Sequence, residues 1–366
     1  MADEAPLAGR DDIRRILIIK WSALGDAVIA SALMEDVARA FPLAEIHLNT
    51  MAGCAGIFAN DPRFTQVFSI DVRDRTRRWK NAWAWVRRVR SGRYDLLIDF
   101  QRSDHSRFLL ALLVLMGGAP RHRLGNRGGF PFTRQPAVRD PRSHAFRMMQ
   151  SVLESAGIPA RTRHPVLYPT PESLAKVKAV RQQHGLEDGR YAVLLPGSHV
   201  AGRLKRWGSA RYAELAGRLH RQGVDRIVVI GGPDEIEDCA TIATAGEFVN
   251  LNGVLSLLEI APLCAGATAI VGNDTGTAHF SSAAGRPLLV LCGPTDPRRV
   301  KPIGEQVVAL QASLPCSSCY GKECVNPTHH ACMSAITPEF LAARFQDLAA
   351  GRLQRGDRFD GGLVCY

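Results

Sequence analysis

Apolar residues in this chain gather into short unbroken runs, each followed by a turn rich in small and polar residues and then by a stretch of helical periodicity. In RRILIIKWSALGDAVIASALMEDVARAF, residues 16–19 read as a strand buried on both faces. Val28, Ile29, Leu33, Val37 and Phe41 then mark a helix beginning near Asp26. AEIHLNT and YDLLIDF (94–100) read as further strands. The run FLLALLVLMGGAP from Phe108 is too short to span a bilayer and reads as a buried helix. Strands alternating with helices predict a parallel sheet covered on both faces.

The pattern restarts after the proline-rich YPTPES (168–173). YAVLLPGS, DRIVVIGGPDE, EFVNL, TAIVGNDTG and RPLLVLCGPTDP read as strands, most running into loops, with helices around SARYAELAGRLHRQG and SLLEIAPLCAGA between them. Two α/β domains follow, 12–167 and 172–336, with a last helix at 337–352. A chain of 366 residues exceeds one comfortable core and fits that division. Ligands of open α/β sheets bind beyond the carboxyl ends of the strands, so chemistry is expected in the loops there.

Charge narrows the partners. With 46 Lys and Arg against 35 Asp and Glu, a net +11 favours phosphorylated small molecules, nucleic acid or a membrane surface. Much of it lies in RDRTRRWKNAWAWVRRVRSGR (73–93). As a helix this places Trp79, Trp83 and Val86 on one face, with Trp85 and Val89 alongside. The pattern fits an anionic membrane surface, or tryptophans packed into the domain beneath solvated arginines. The opening MADEAPLAGRDD has no apolar segment, and a cytoplasmic location is expected. Nine cysteines in that setting argue against a disulfide framework. Cys316, Cys319, Cys324 and Cys332 crowd into CSSCYGKECVNPTHHACM, beside His329 and His330. Four such thiols can close a tetrahedral metal site; reduced thiols or a redox-formed disulfide are the other readings.

No G-x-G-x-x-G follows a strand, and neither G-x4-G-K-[ST] nor G-x-S-x-G occurs, so dinucleotide, P-loop and hydrolase readings lose their main support. What remains suits a diphosphate. In GNDTGTAHFSSAAG a helix starting near Asp274 or Thr275 would offer the N–H groups of Thr275, Gly276 and Thr277, two threonine hydroxyls and its dipole; helix capping by Asp274 accounts for the same pattern. In PGSHVAGRLKRWG, Ser198 can donate to a phosphate, and Lys205 and Arg206 supply charge for a departing diphosphate, or the loop is simply solvated. Glu235 in GGPDE can accept from ribose hydroxyls or a base amino group, or cap a helix. Asp26 in KWSALGDAV can take a proton from an attacking hydroxyl, or be an ordinary cap.

Taken together, ILIIKWSALGDAVIASALMEDVARAFP, YDLLIDFQ, RLG (123–125), PGS…KRW (196–207), GGPDE and GNDTGTAHFSSAAGRPLLVLCGPTDP resemble, in order over nearly the whole chain, the bacterial ADP-heptose:lipopolysaccharide heptosyltransferases, glycosyltransferase family 9. The resemblance implies a GT-B architecture: an α/β fold of two Rossmann-like parallel-sheet domains facing across a cleft. The acceptor would sit in the first domain and the nucleotide sugar in the second, with the last helix packing back on the first. It implies Asp26 as catalytic base and Lys205 as the residue neutralising the diphosphate. Ser198, Asp274, Thr275, Gly276, Thr277 and His279 would surround the donor, with Glu235 near the nucleoside.

The implied reaction is inverting transfer without a divalent metal, so no cofactor is expected for catalysis, and zinc or iron at the cysteine cluster would be structural. Arg102, His105, Arg107 and Arg123 suit an anionic lipopolysaccharide core, or form a solvated basic rim. The expected partners are an ADP-sugar donor, that acceptor and the inner-membrane surface, where the enzyme would be peripheral; nucleic acid is not expected. Another nucleotide sugar, a protein acceptor, or a non-catalytic nucleotide-sugar- or nucleic-acid-binding role remain the alternatives.

Overall fold

The computed structural model describes residues 5–366 apart from 72, 73, 75, 199 and 247. The chain divides into two compact units, Met1–Tyr168 and Pro169–Tyr366.

The first unit carries strands β1 (Arg15–Ile19), β2 (Glu45–Thr50), β3 (Gln66–Ser69), β4 (Leu96–Asp99) and β5 (His122–Gly125), and helices α1 (Leu24–Ala40), α2 (Ala52–Phe58), α3 (Arg78–Ser91), α4 (Asp104–Leu115) and α5 (Ala145–Glu154). The sheet order is β3-β2-β1-β4-β5, parallel throughout, with Ile18 facing Leu48 on one side and Ile98 on the other. Residues 16–19 are buried, as an apolar run flanked by helices on both faces requires. The chain builds outward from β1 to β3 and then returns to β4 on the opposite side of β1. This opens a crevice beyond the carboxyl ends of β1 and β4, the position where open α/β sheets bind ligands.

The basic helix differs from its sequence reading. α3 buries Ala82, Trp85, Val86 and Val89, while Trp79 and Trp83 are 66% and 50% exposed. Trp85 lies two residues on from Trp83, on the opposite side of the helix, and takes the core position, where its indole Nε1 donates to Asn49 Oδ1 at 2.7 Å. Arg73 and Arg75 of that run lie outside the described residues. α4 buries Leu109, Leu110 and Leu113 but exposes Phe108 and Leu115, and among the described residues no helix is long and apolar enough to cross a membrane.

The second unit contains β6 (Tyr191–Leu195), β7 (Arg226–Val229), β8 (Val249–Asn250), β9 (Ala269–Asn273), β10 (Leu288–Cys292), β11 (Val307–Ala312), β12 (Arg358–Phe359) and β13 (Leu363–Cys365). Its helices are α6 (Pro171–Gln183), α7 (Ser209–Arg221), α8 (Ile236–Thr244), α9 (Leu257–Cys264), α10 (Gly276–Ser282), α11 (Pro297–Val300), α12 (Ala331–Ser334) and α13 (Pro338–Ala349). The order β12-β13-β11-β10-β9-β6-β7-β8 repeats the same reversal, now between β6 and β9, and closes with an antiparallel pair from the last residues. Glu247 of the EFVNL strand lies outside the described residues.

The helix at 337–352, expected to pack back on the first domain, is α13. Leu341, Ala342, Phe345 and Leu348 lie in the second unit's own core with Leu215 and Leu219 of α7. Full burial of each of these leucine and phenylalanine side chains is worth about 2 kcal/mol, which accounts for the helix's position inside this unit.

Candidate active site

At the first reversal, β1 runs directly into Lys20, whose side chain is only 3% exposed. Its ammonium lies 3.5 Å from the Asp26 carboxylate and donates to Ser22 O at 2.8 Å. Asp26 sits in the first turn of α1, which begins two residues earlier than the sequence suggested; Ala23 is the cap, so capping is not its role. Its side chain is 44% exposed. Burial holds Lys20 below its usual range, opposed by the charges of Asp26, Asp99 and Cys54, and burial pushes Asp99 up to about 6. Gln101 shapes the loop: its Oε1 accepts from the N–H groups of Trp21 and Ser22 at 2.8 and 3.0 Å, while its own N–H binds Asp99 Oδ1 at 2.8 Å. A cavity of about 230 Å³ opens here, lined by Lys20, Asp26, Gln101, Arg102, Asn126 and Met148 among others. Asn126 donates to Met148 O, and its Oδ1 is buried without a partner. An outward carboxylate, an amide oxygen and two cations suit a hydroxylated, anionic ligand.

The four basic acceptor candidates part company. Arg102 lines this cavity in a left-handed backbone conformation (φ 51°). His105 lines a different cavity of about 300 Å³, with Arg78, Trp79 and Phe108. Arg107 donates to Phe130 O at 2.8 and 3.1 Å. Arg123 is half-buried on β5 and donates to Pro131 O and Pro120 O at 2.7 and 2.5 Å, so it braces its own loop.

At the second reversal, Lys205 closes a 3₁₀ segment (Val200–Lys205), and its ammonium binds Asp274 Oδ2 at 2.8 Å. Here the carboxylate is buried (4%) and the ammonium more open (31%). Thr295 donates to the same oxygen at 2.8 Å. Asp274 therefore holds Lys205; the cap of α10 is Thr275, which accepts from Ala278 N at 3.4 Å and bonds the Thr277 hydroxyl at 2.7 Å. Gly276 and Thr277 open α10, where first-turn N–H groups have no intrahelical acceptor. His279 is buried one turn on.

Ser198 is buried and donates to Gly202 O at 2.7 Å. Glu235 accepts from Gly232 N at 2.5 Å, the capping contact weighed for it, and lies 3.6 Å from Arg206. Glu235 packs against Gly197, where any Cβ would collide with its carboxyl group. Asn273, at the end of β9, joins these loops. Its Oδ1 accepts from Trp207 N at 3.3 Å and Tyr212 OH at 3.0 Å, and its Nδ2 donates to Gly197 O at 3.2 Å.

Cys316, Cys319, Cys324 and Cys332 line one cavity of about 30 Å³. Cys316, Cys319 and Cys324 accept hydrogen bonds from Asn326 Nδ2 (3.1 Å), Gly321 N (3.4 Å) and His330 N (3.2 Å) respectively. Among the described residues no three His, Cys, Asp or Glu side chains are grouped to hold an ion. The four cysteines expected as a metal set therefore share one small thiol-lined cavity, with three of the sulfurs also accepting N–H bonds from their own loop.

The profile of glycosyltransferase family 9 (heptosyltransferase) matches residues 82–330. The chain belongs to glycosyltransferase family 9. The matched span contains Lys205, Asp274, Cys316, Cys319 and Cys324, while Asp26 lies before it and Cys332 just after it. Lipopolysaccharide heptosyltransferase 1 of Pseudomonas aeruginosa is 29% identical over 91% of this chain and 97% of its own length. A glycosyltransferase family 9 structure from Veillonella parvula superposes with TM-score 0.73 at 20% identity, covering 92% of this chain and 97% of that one. E. coli heptosyltransferase WaaC, solved with ADP, superposes with TM-score 0.67 at 22% identity over 91% of this chain and 99% of that one. This family 9 enzyme is a glycosyltransferase with the α/β two-domain fold of those structures. Sequence reasoning missed Lys20, Asp99, Gln101, Asn126 and Asn273. The signal for Lys20 was a lysine continuing a strand buried on both faces.

Proposed function

We propose that the protein transfers heptose from ADP-heptose to an anionic inner-core acceptor of lipopolysaccharide, with inversion and without a divalent metal. One observation carries this reading: the two reversals hold ion pairs of opposite exposure. In the first unit the cation is buried and the carboxylate faces outward; in the second the carboxylate is buried and the cation is the more open partner. An outward carboxylate can accept a proton, and an outward ammonium can meet an anion.

Asp26 takes the proton of an acceptor hydroxyl as that oxygen bonds to the anomeric carbon. The bond from this carbon to the diphosphate oxygen breaks, and its electron pair leaves with ADP toward Lys205. A single displacement of this kind inverts the carbon, and the fixed ammonium supplies the field a divalent ion would otherwise give. Asp274, Thr275, Gly276, Thr277 and His279, with Ser198 and Glu235, form the donor side; Arg102 with Lys20 and Asn126 forms the acceptor side, and His105, Arg107 and Arg123 form its basic surroundings. The enzyme works at the cytoplasmic face of the inner membrane, a reading supported by Trp79 and Trp83 exposed among the arginines of α3.

Mass spectrometry of truncated lipopolysaccharides incubated with the protein and ADP-heptose tests this. The expected product carries one added heptose, and no mass gain on any acceptor would refute the reading.

A further inference from the structure

The cysteine-rich segment bonds to both sides of the Lys205–Asp274 pair. On the lysine side, His330 Nε2 lies 2.7 Å from Leu204 O, the peptide immediately before Lys205. A carbonyl only accepts, so the imidazole donates from Nε2. On the carboxylate side, Tyr320 N donates to Pro294 O at 2.7 Å, the peptide immediately before Thr295, and Thr295 donates to the Asp274 oxygen that holds Lys205. Leu204 and Pro294 line the same small cavity as the four cysteines and His330. Ser318, Tyr320 and His330 all have left-handed backbones (φ 62°, 53° and 63°). Non-glycine residues hold that conformation at a cost, which surrounding contacts must offset.

We propose that segment 316–332 is a positioning clamp for the donor-side lysine, with His330 the positioning residue that acts on Lys205 through the Leu204 carbonyl. The inference rests on the role given to Lys205 above and deepens it. A rotated Leu204 peptide would carry Lys205 off Asp274, and misplacement of a charge by about 1 Å is enough to slow a reaction substantially. His330 touches no substrate; its effect passes through the backbone.

The test uses the full chain and two amide variants. His330→Asn tolerates a left-handed backbone but is too short to reach Leu204 O, whereas His330→Gln can place its Nε2–H there. With ADP-heptose and acceptor, His330→Asn is expected to lower kcat about tenfold with donor KM changed by less than about threefold, and His330→Gln to recover most of the loss. Placed on Lys205→Ala, His330→Asn should cost nothing further. Amide hydrogen exchange at 203–206 should quicken in His330→Asn and return toward wild type in His330→Gln. Unchanged kinetics in His330→Asn, equal losses in both variants, or losses that multiply in full with Lys205→Ala would overturn the clamp. If the wild type transfers no heptose, the functional reading fails, and hydrogen exchange alone decides the clamp.

Discussion

The two units use one topology for opposite ends. In each, a strand from the middle of a parallel sheet ends beside a neighbour reached after the chain reverses direction, and each crevice holds a lysine paired with an aspartate. In the first, Lys20 is an extension of β1 and is buried with the strand, so the helix-borne Asp26 is left outward at a loose 3.5 Å. In the second, Asp274 is the extension of β9 and is buried, and the loop-borne Lys205 closes on it at 2.8 Å. The member that continues the strand is buried; the member on the loop or helix is the more open one. In the proposed mechanism, exchanging which charge continues the strand exchanges a proton acceptor for an anion holder.

The largest effect expected is at Asp26. Asp26→Ala should lower transfer by about three to four orders of magnitude while ADP affinity, measured by calorimetry, stays at the wild-type value; normal turnover would dissolve the contrast between the crevices. Lys205→Ala should follow at about a hundredfold in kcat, with weakened ADP binding that Asp26→Ala does not show. A Lys205→Ala enzyme that binds ADP unchanged would mean the outward ammonium has no anion to meet.

The asparagine braces sharpen the comparison through stability. Asn273→Ala leaves Trp207 N, Tyr212 OH and the turn after β6 short of partners, at about 3 kcal/mol, and should also weaken ADP binding. Asn49→Ala orphans the indoles of Trp21 and Trp85 at a similar or smaller cost, and should leave ADP affinity untouched. Urea unfolding and calorimetry on both variants read the two effects separately.

The last comparison is a pH slope. Asp99 has a folded pKa of about 6, above its unfolded value, so the stability from its protonated form is fully present below about pH 4 and is lost as pH rises to about 6. The loss amounts to about 3 kcal/mol. Asp99→Asn should remove that slope, so its stability relative to wild type should improve between pH 4 and pH 7. Parallel urea midpoints for the two proteins across that range would contradict the assignment.

Much of the fold was legible because parallel strands buried on both faces must be continuous apolar runs, and β1, β6, β9 and β10 are such runs. β3 and β5 escaped notice because they are short edge strands of mixed polarity, and β12 and β13 because two or three residues carry no period. NDTG and KRW singled out the two loops that the Lys205–Asp274 pair joins, but capping by Asp274, a local expectation, gave way to this long-range pairing. The two readings of Trp79 and Trp83, exposed or packed, stayed open in the sequence because helical spacing fixes which residues share a face, and only the packing of α3 against its unit chooses which face is buried.

By itself, then, the order of residues determined the central apolar strands, the break near residue 168 and the family, since all of these depend on local patterns of polarity and spacing. Tertiary structure alone decided that Lys20 is buried beside Asp26, that Asp274 serves Lys205 and Thr295, that Arg123 braces its own loop, and that His330 reaches the peptide before Lys205. Each of these depends on how deeply a group is withdrawn from water and on which distant backbone atom comes within about 3 Å of it, and no local pattern encodes either.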